Sequence, residues 1–324
     1  MIAAPAPSEG WFAVSQSFDL NVCLNSGQAF AWFQRHDGWI GTIKETAFAL
    51  RQAEGRLFFH ATFASALHAS RPTPHALLRH YLALDEDHEK IRRSLPQDPF
   101  LQTAMQFGAG LRILRQDPWE CLAGFILSST KQIVHIQQIW RKMSARWGIP
   151  LRIQNAECRM QNIKLKTEAA LAHGISDSAP GTLIIHSFPE PDKIAALSEK
   201  DLRACGMGFR APYMLQAAQA IADGRLNLAS LRDLPTAEAR IRLMQLHGVG
   251  GKIADCALLF SLGKTEAFPV DTWILKVLRK IYFRNKRRVK PAQLRSFATS
   301  HFGPHGGLAQ QFLFHYARMN PHLF

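Results

Sequence analysis

The sequence is poor in cysteine and has no long apolar run. Its five cysteines are scattered over 324 residues, at positions 23, 121, 158, 205 and 256. The number is odd and no Cys-x-x-Cys pair or zinc spacing occurs, so the pattern predicts reduced thiols in an intracellular protein. No apolar run reaches the roughly 20 residues that cross a bilayer. Met1–Gly10 has no basic segment followed by an apolar core, so we expect no secretory signal.

Acidic residues are scarce relative to basic ones. The chain has 25 Asp and Glu against 39 Lys and Arg, a net charge of +14. Such a charge suits a polyanionic partner, which could be DNA, RNA or an acidic membrane surface. The length is sufficient for two domains with a sizeable core.

Hydrophobic periodicity divides the chain into a strand-rich first part and a helical second part. Short alternating runs that predict antiparallel strands lie at 18–24, 29–32, 39–43, 48–50 and 57–59. Pro74 fits the first position of a helix that runs to residue 82. Further helices are predicted at 119–126, 133–147, 192–197, 199–204, 211–223, 237–245 and near the end of the chain. Residues 148–190 are less periodic, with loops expected around Gly174 and Ala179-Pro180-Gly181.

A glycine cluster interrupts the helical pattern at Leu246–Lys252, which reads LHGVGGK. Closely spaced glycines between two helices predict a hairpin whose backbone N–H groups are open to a phosphate oxygen. Lys252 lies in the first turn of the second helix, where its amine is a candidate nucleophile. Asp271 fits the N-cap of a helix over Thr272–Tyr282. The residues alone also allow a plain helix pair, with Lys252 as a phosphate-binding lysine and Asp271 as a simple cap.

The hairpin together with Phe268-Pro269-Val270-Asp271 resembles the helix-hairpin-helix Gly/Pro…Asp motif of base-excision DNA glycosylases. Within that superfamily, other stretches resemble the 8-oxoguanine DNA glycosylase/lyase family. The most specific are Ser26-Gly27-Gln28 and Gly208-Phe209-Arg210-Ala211, and the others are 71–74 and 114–122. The resemblance extends from near residue 15 to the last helix.

This resemblance implies an α+β fold with two domains. A small TATA-binding-protein-like antiparallel α/β domain is expected over residues 8–105, followed by an all-α helix-hairpin-helix glycosylase domain over 106–324. The expected activity is excision of 8-oxoguanine from duplex DNA, with lyase cleavage of the strand. No cofactor is expected, apart from a structural monovalent cation at the hairpin. Some relatives carry an iron–sulfur cluster after the catalytic motif, but no cysteine follows Cys256 here.

The resemblance also implies a setting for the protein. The expected partner is double-stranded DNA that contains 8-oxoguanine, with no membrane partner, and the expected state is a monomer. A bacterial protein of this kind would act at the cytoplasmic nucleoid and a eukaryotic one in the nucleus.

Residue roles follow from the same resemblance. Lys252 corresponds to the nucleophile that attacks C1′ of the damaged nucleotide, and Asp271 to the carboxylate that stabilises the cationic sugar. Four residues are expected to bind the flipped base, namely Gly27, Cys256, Gln310 and Phe314. On residues alone, Cys256 and Phe314 would be ordinary core residues and Gly27 a turn glycine. Asp255 is expected to have a structural role beside the hairpin.

A second group of residues is expected to contact DNA outside the lesion pocket. Phe209 corresponds to the wedge that fills the space left by the flipped base, with Arg210 beside it. The other expected contacts are Thr130, His135, His247, Gly248, Val249, Gly250 and Trp273. A run of basic residues between Lys276 and Lys290 has no acid in it and is expected to contact phosphates.

Several of these positions depart from the family pattern. Thr130-Lys131-Gln132 stands where the family usually has three asparagines, and His135 stands where it has an arginine. Those missing side chains normally read the cytosine opposite the lesion, so relaxed opposite-base specificity is expected. Trp273 replaces a phosphate-contacting histidine and Phe209 replaces a tyrosine. None of these changes touches the residues assigned to the chemistry.

Two other classes of function stay open at this stage. A non-catalytic helix-hairpin-helix module would also bind DNA, although it would not need Lys252, Asp271 and a base pocket together. An alkylated-base glycosylase of the same superfamily would also combine a small β-rich domain with a helical one, but such enzymes typically lack the hairpin lysine.

Overall fold

A computed structural model of the protein describes residues 8–15, 17–35, 38–64, 72–129, 132–154, 176–179, 182–284 and 289–324. These residues form two compact units, and each is assembled from three stretches of chain. The first unit contains the stretch that ends at Ser15, then Ala29–His80 and Ile126–Leu226. The second contains Gln16–Gln28, Tyr81–Phe125 and Asn227–Phe324. The units interleave segments from both sides of residue 105, and the division into 8–105 and 106–324 stays a prediction.

A five-stranded antiparallel sheet forms the centre of the first unit. Its strands are β1 (Ser8–Ala13), β2 (Trp32–Arg35), β3 (Gly38–Ile43), β4 (Thr46–Ala53) and β5 (Arg56–Phe63), in the order β1-β5-β4-β3-β2. Central strand β3 is buried along its whole length. Gly41 pairs with Trp32, and a Cβ at Gly41 would lie 2.5 Å from the Trp32 ring. The strand predictions at 39–43, 48–50 and 57–59 are confirmed.

A second sheet in the first unit was not expected. Residues 148–190 contribute β6 (Pro150–Gln154), β7 (Ser176–Ala179) and β8 (Thr182–His186), in the order β6-β8-β7. The expected loops around Gly174 and at 180–181 lie outside the described residues, and Ala179 is the last residue of β7. Strands β6 and β8 pack on the first sheet through a shared core that consists of Ile40, Ala47, Leu151, Ile153, Leu183 and Ile185. Burial against another sheet supplies stability that a search for local helical periodicity does not detect.

Helices complete the first unit. They are α2 (Pro74–Tyr81), α6 (Ile133–Trp147), α7 (Pro191–Ala195), α8 (Glu199–Ala204) and α9 (Ala211–Ala222). Pro74 begins α2 as predicted, and the predicted bounds of α6 are confirmed. Ser198 and Asp201 form a capping box at the start of α8, which satisfies two N–H groups that the helix itself leaves open.

The second unit is helical. Its helices are α1 (Leu20–Asn25), α3 (His88–Arg93), α4 (Pro99–Phe107), most of α5 (Pro118–Leu127), α10 (Thr236–Met244), α11 (Gly251–Ser261), α12 (Thr272–Val277), α13 (Pro291–Phe302) and α14 (Gly306–Met319). Their common core includes Leu101, Phe268, Phe302 and Phe312. The α+β class is thus confirmed.

Helix α1 contradicts the strand predicted at 18–24. Asp19 caps it by accepting a hydrogen bond from the Val22 N–H at 2.9 Å. Leu20, Cys23 and Leu24 are buried, which is the i, i+3, i+4 spacing of a helix. The segment fits both periods because Phe18 and Val22 also alternate with polar residues, and the cap decides between them.

Four of the five cysteines lie in the part of the chain that the structure describes. Cys23, Cys121, Cys205 and Cys256 are all buried and unbridged, whereas Cys158 lies outside the described residues. In the described part of the chain, no helix combines the length and apolar character needed to cross a membrane.

Candidate active site

The glycine cluster forms the predicted hairpin between α10 and α11 in the second unit. Gly248 has a φ of +82°, a conformation that side chains other than glycine rarely adopt. Gly250 is extended and begins α11, and no side chain caps this helix start. Asp255 in α11 pairs with Arg240 in α10, with Oδ1 and Nε 2.6 Å apart. The expected structural role of Asp255 agrees with this pair, which fixes one hairpin helix against the other.

Lys252 lies half-buried in the first turn of α11. Its Nζ atom is 4.9 Å from the centre of the Phe125 ring, whose face attracts a cation. The Phe125 ring in turn stacks on Phe260 with centroids 5.5 Å apart. These contacts hold the lysine stem against the second unit and direct its amine along one face of α11.

Asp271 caps helix α12 as predicted. Its Oδ1 atom accepts a hydrogen bond from the Ile274 N–H at 2.8 Å. Burial raises the pKa of the Asp271 carboxyl, while the Ile274 N–H and the charge of Lys252 oppose that rise. Asp271 and Lys252 are therefore close enough to interact electrostatically. One group offers a fixed negative charge and the other an amine, which is the pair that attack on a cationic sugar requires.

Cys256 lies one turn after Lys252 and is 2% exposed. Burial raises the pKa of its thiol to about 12, although the nearby Lys252 charge opposes this. Burial also raises the pKa of Cys121 well above its usual range, and its thiol contacts the Cys256 carbonyl at 3.8 Å. Both thiols thus stay protonated near neutral pH. Since a thiolate is the reactive form of cysteine, Lys252 is the stronger candidate nucleophile on this helix.

Gly27 occupies a tight turn in the second unit with a φ of +82°. The following residue, Gln28, is fully buried and fixes the turn through both ends of its amide. Its Nε2 donates to the Ser26 hydroxyl at 2.9 Å and to the Arg112 carbonyl at 2.8 Å. Its Oε1 accepts from the Leu114 N–H at 2.8 Å. The turn therefore has one defined geometry in which only glycine is free of backbone strain.

Gln310 and Phe314 are one turn apart on helix α14. Gln310 is 3% exposed, and its Oε1 has no hydrogen-bond partner among the described residues. A buried amide oxygen without a partner is costly, and it is an acceptor available to a ligand. Phe314 is half-buried, and the guanidinium carbon of Arg318 lies 5.9 Å from the centre of its ring.

The candidate wedge lies in the first unit. Phe209 is 50% exposed in the short turn that precedes α9. Arg210 is only 2% exposed, with its guanidinium carbon 4.2 Å from the centre of the Phe209 ring and Nη1 donating to the Met207 carbonyl at 3.2 Å. A base contact by Arg210 would therefore require this side chain to leave its position. His135 is exposed on α6, while Thr130 and Lys131 lie outside the described residues.

The remaining candidate DNA contacts lie on the second unit. His247 and Gly250 are exposed at the hairpin, with Val249 buried between them. Trp273 is half-buried, and the Lys276 amine lies 4.6 Å from its ring centre. Part of the basic run, Lys286 to Arg288, lies outside the described residues.

The structure thus separates the predicted residues into two groups. Those assigned to chemistry and to the flipped base all belong to the second unit, whereas Phe209, Arg210 and His135 belong to the first. In the described ranges, no group of three or more His, Cys, Asp or Glu side chains is arranged to hold a metal ion. Sequence reasoning missed the side chains that fix the Gly27 turn from distant segments, because contacts over such separations leave no local pattern.

Comparison with known proteins covers nearly the whole chain. Residues 12–122 match the family described as 8-oxoguanine DNA glycosylase, N-terminal domain. Residues 123–299 match the HhH-GPD superfamily of base excision DNA repair proteins.

Individual relatives agree with these matches. A probable N-glycosylase/DNA lyase of Methanothermobacter thermautotrophicus is 30% identical over 223 residues, which is 68% of each chain. The N-glycosylase/DNA lyase OGG1 of Arabidopsis thaliana is 27% identical over 94% of this chain and 79% of its own. A crystal structure of the Clostridium acetobutylicum 8-oxoguanine glycosylase/lyase with DNA is 29% identical over 98% of this chain and 99% of its own, with a TM-score of 0.79. The chain therefore belongs to the 8-oxoguanine DNA glycosylase family of the HhH-GPD superfamily.

Proposed function

We propose that this protein is a bifunctional DNA glycosylase and AP lyase that excises 8-oxoguanine from duplex DNA. The observation that carries the proposal is that Lys252, in the first turn of α11, lies near enough to the half-buried carboxylate of Asp271, which the Ile274 N–H fixes, for the lysine charge to act on that carboxylate. Relatives that match most of the chain are named N-glycosylase/DNA lyase. The Clostridium relative was solved with duplex DNA containing cytosine opposite 8-oxoguanine.

In the first step, the Lys252 amine attacks C1′ of the flipped nucleotide. A bond forms between Nζ and C1′ while the glycosidic bond breaks, and the base leaves with the bonding electrons and takes up a proton. Positive charge develops on the sugar as the base leaves. The Asp271 carboxylate is fixed by the Ile274 N–H, so it stabilises this charge without having to reorganise.

In the second step, the sugar ring opens to give an imine between Lys252 and C1′. The imine makes the 2′ protons acidic, because the electron pair left by their removal is delocalised onto nitrogen. Loss of one 2′ proton is followed by breakage of the bond between C3′ and the phosphate oxygen. The strand is cut on the 3′ side of the lesion, which is the lyase activity.

Recognition of the base uses the turn at Gly27 and two helices. The Gly27 carbonyl accepts the N7–H that distinguishes 8-oxoguanine from guanine. Cys256 and Phe314 face opposite sides of the flipped base, and Gln310 pairs with its Watson–Crick edge. The unpaired Oε1 of Gln310 supports this role, since a base donor would satisfy it.

Selectivity for the opposite base is relaxed in this proposal. Cytosine offers one donor and two acceptors, which a guanidinium fork or an amide reads well and a single imidazole N–H reads poorly. His135 is exposed on α6, and Arg210 is 2% exposed beneath Phe209. Phe209 acts as the wedge that occupies the space left by the flipped nucleotide.

Phosphate contacts come from the hairpin and its surroundings. The N–H groups around His247–Gly250 face a phosphate at the start of α11, and Trp273 with Lys276 adds a cationic surface. Backbone carbonyls of the hairpin suit a weakly held monovalent cation, and that cation stays a prediction. Neither a non-catalytic DNA-binding module nor an alkylated-base glycosylase is favoured, because the relatives that are 27% and 30% identical over two thirds or more of the chain have lyase names.

Borohydride trapping on an 8-oxoguanine duplex tests this proposal. Reduction of the imine links protein and DNA covalently, so the unmodified protein should give a band of slower mobility on a denaturing gel. Lys252→Gln should lose base release, strand cleavage and trapping together while duplex binding persists. A trapped adduct formed by Lys252→Gln would mean that another lysine is the nucleophile. A lack of excision by the unmodified protein would refute the proposed activity.

A further inference from the structure

Three side chains from distant segments donate hydrogen bonds to the backbone carbonyls around Gly27. The Arg318 guanidinium donates to the Asn25 carbonyl. Gln311 Nε2 donates to the Ser26 carbonyl at 2.9 Å, and Gln116 Nε2 donates to the Gln28 carbonyl at 2.7 Å. In the four-residue stretch 25–28, the Gly27 carbonyl is the one that accepts no hydrogen bond from the described part of the chain.

The pattern matters because recognition of 8-oxoguanine relies on one backbone acceptor. A glycine can rotate its flanking peptide planes at little cost, so the turn sequence by itself does not determine where this carbonyl points. The donor on the Ser26 carbonyl holds the peptide plane that precedes Gly27, and the donor on the Gln28 carbonyl holds the plane that follows Gln28, so the plane of the Gly27 carbonyl is fixed from both ends. The two donors also occupy one lone pair of each neighbouring carbonyl, which makes those carbonyls weaker competitors for the N7–H of the base.

These donors also connect the turn to the two helices of the lesion pocket. Gln311 and Arg318 belong to α14, which carries Gln310 and Phe314, and Arg318 also lies over the Phe314 ring. The backbone N–H of Gln116 also donates a hydrogen bond to the carbonyl of Phe260 in α11, at 2.8 Å. A shift of either helix would therefore be transmitted to the turn by direct hydrogen bonds.

We propose that Gln116, Gln311 and Arg318 are positioning residues for lesion recognition. They present the Gly27 carbonyl as the free acceptor and fix its distance from the residues that contact the rest of the base. Gln311 is 2% exposed, and burial excludes water that would otherwise compete for these donors. The inference rests on the proposed function, since it assigns a role within the same pocket.

The test compares two reactions of the same enzyme. Excision of 8-oxoguanine needs the base pocket, whereas cleavage of a preformed abasic site needs Lys252 and Asp271 without any base. Arg318→Met and Gln311→Leu should each lower the single-turnover rate of excision by about 10- to 100-fold, because a misplacement of about 1 Å can cost that much. Their cleavage of an abasic duplex should stay within about twofold of the unmodified rate.

Two further variants control for stability. Arg318→Lys keeps one cationic donor and should recover part of the excision rate. Lys264→Met removes a lysine that donates to the Arg232 and Leu234 carbonyls at 2.8 and 2.6 Å, far along the sequence from the turn. It should lower the unfolding temperature without changing the ratio of excision to abasic cleavage.

The outcomes separate clearly. A selective loss of excision in Arg318→Met and Gln311→Leu supports the inference. An equal fall in both reactions would make these side chains merely structural, and unchanged excision would remove them from recognition. If Arg318→Met does not fold, Gln311→Leu and Arg318→Lys decide the matter. The variants test the positioning role alone. Failure of the unmodified protein to excise 8-oxoguanine would instead refute the proposed function.

Discussion

In the second unit, Gly27, Cys256 and Gln310 are held by burial or by a network of hydrogen bonds, and Asp271 is fixed as a helix cap. In the first unit, Phe209 and His135 project from the surface, and Arg210 is packed beneath the Phe209 ring. The fold therefore fixes the candidate side chains of the second unit before any ligand binds, and it fixes the exposed candidates of the first unit less.

This difference reflects what each set has to do. In the proposed function, selection of 8-oxoguanine depends on one hydrogen bond to the Gly27 carbonyl, so we expect this acceptor to be fixed before the base arrives. A wedge has to enter a base stack, and an exposed aromatic ring can do so at little cost in desolvation. The proposal therefore assigns lesion specificity to side chains of the second unit that burial and hydrogen bonds hold, and opposite-base contacts to side chains of the first unit that are exposed or lie beside the Phe209 ring.

The largest expected effect in the second unit is that of Gly27→Val on excision of 8-oxoguanine. A branched side chain at a φ of +82° would cost about 1–3 kcal/mol in backbone strain and would also crowd the pocket. We expect excision of 8-oxoguanine to fall by roughly 100-fold or more, as measured by single-turnover kinetics. Gly263→Val is the matched control, because Gly263 has a φ of +72° and open space around a Cβ. Unimpaired excision by Gly27→Val would remove this residue from the site.

Acid should weaken the second unit through two buried histidines. Burial lowers the pKa of both His88 and His315 from 6.5 to about 4, so each stays neutral in the fold while its unfolded form takes up a proton. Their neutral state supports stability fully above pH 6.5, and that contribution is lost as the pH falls towards 4. After a discount for solvent screening, the loss should be about 1–2 kcal/mol for each histidine.

Urea unfolding at pH 7 and pH 5 measures this acid sensitivity. The double variant His88→Gln/His315→Gln should show a smaller fall in unfolding free energy between the two pH values. An equal fall in the variant and the unmodified protein would assign the acid sensitivity to other groups. Hydrogen exchange should locate the loss of protection in helices of the second unit, such as α14.

In the first unit, the next prediction concerns the preference for the base opposite 8-oxoguanine. The unmodified protein should process 8-oxoguanine opposite adenine, guanine or thymine nearly as fast as opposite cytosine. His135→Arg should sharpen the preference for cytosine by about 1 kcal/mol, or roughly fivefold, because a guanidinium adds directed hydrogen bonds to a base edge.

Single-turnover excision across the four opposite bases tests that expectation. Gln138→Arg is the control, since it adds the same charge at an exposed position one turn further along α6. A strong cytosine preference in the unmodified protein that His135→Arg leaves unchanged would show that other residues read the opposite base.

The smallest expected effect belongs to the wedge. Phe209→Ala should lower excision by only a few-fold, and should change the free energy of unfolding by about 0.5 kcal/mol or less, because the ring is 50% exposed. Phe209→Tyr should retain the unmodified rate. A 100-fold loss in Phe209→Ala would mean that the wedge is as critical as the lesion pocket, and the contrast between the units would not hold.

The sequence was most informative where a local signal decides the structure. The bounds of α6 and α8, the cap at Asp271 and the hairpin at Gly248 all follow from spacing within a few residues. The positive φ of Gly27 was likewise suggested by the type of residue in a tight turn. Such features depend on neighbours that can be read directly from the chain.

Long-range pairing explains what the sequence did not reveal. Strand β6 alternates over only five residues, with Leu151 and Ile153 buried, and this local signal does not indicate that its partner is β8. Helix α1 fits the period of a strand as well as that of a helix. The hydrogen bonds from Gln311 and Arg318 to the turn span 285 and 293 residues. Nothing near Gly27 in the sequence indicates that these two side chains are its supports.

The sequence separation of these hydrogen-bond partners also means that the turn and its supporting side chains are synthesised at different times. The turn at Asn25–Gln28 emerges early, but Gln311 follows Ser26 by 285 residues. At about 5–20 residues per second, translation leaves the turn without that support for roughly 15 to 60 s. A nascent chain thus contains the hairpin before helix α14 arrives to support the turn at Gly27. Because α14 also supplies Phe312 and Leu313 to the core of the second unit, translation that stops short of α14 should leave both that core and the support of the turn incomplete.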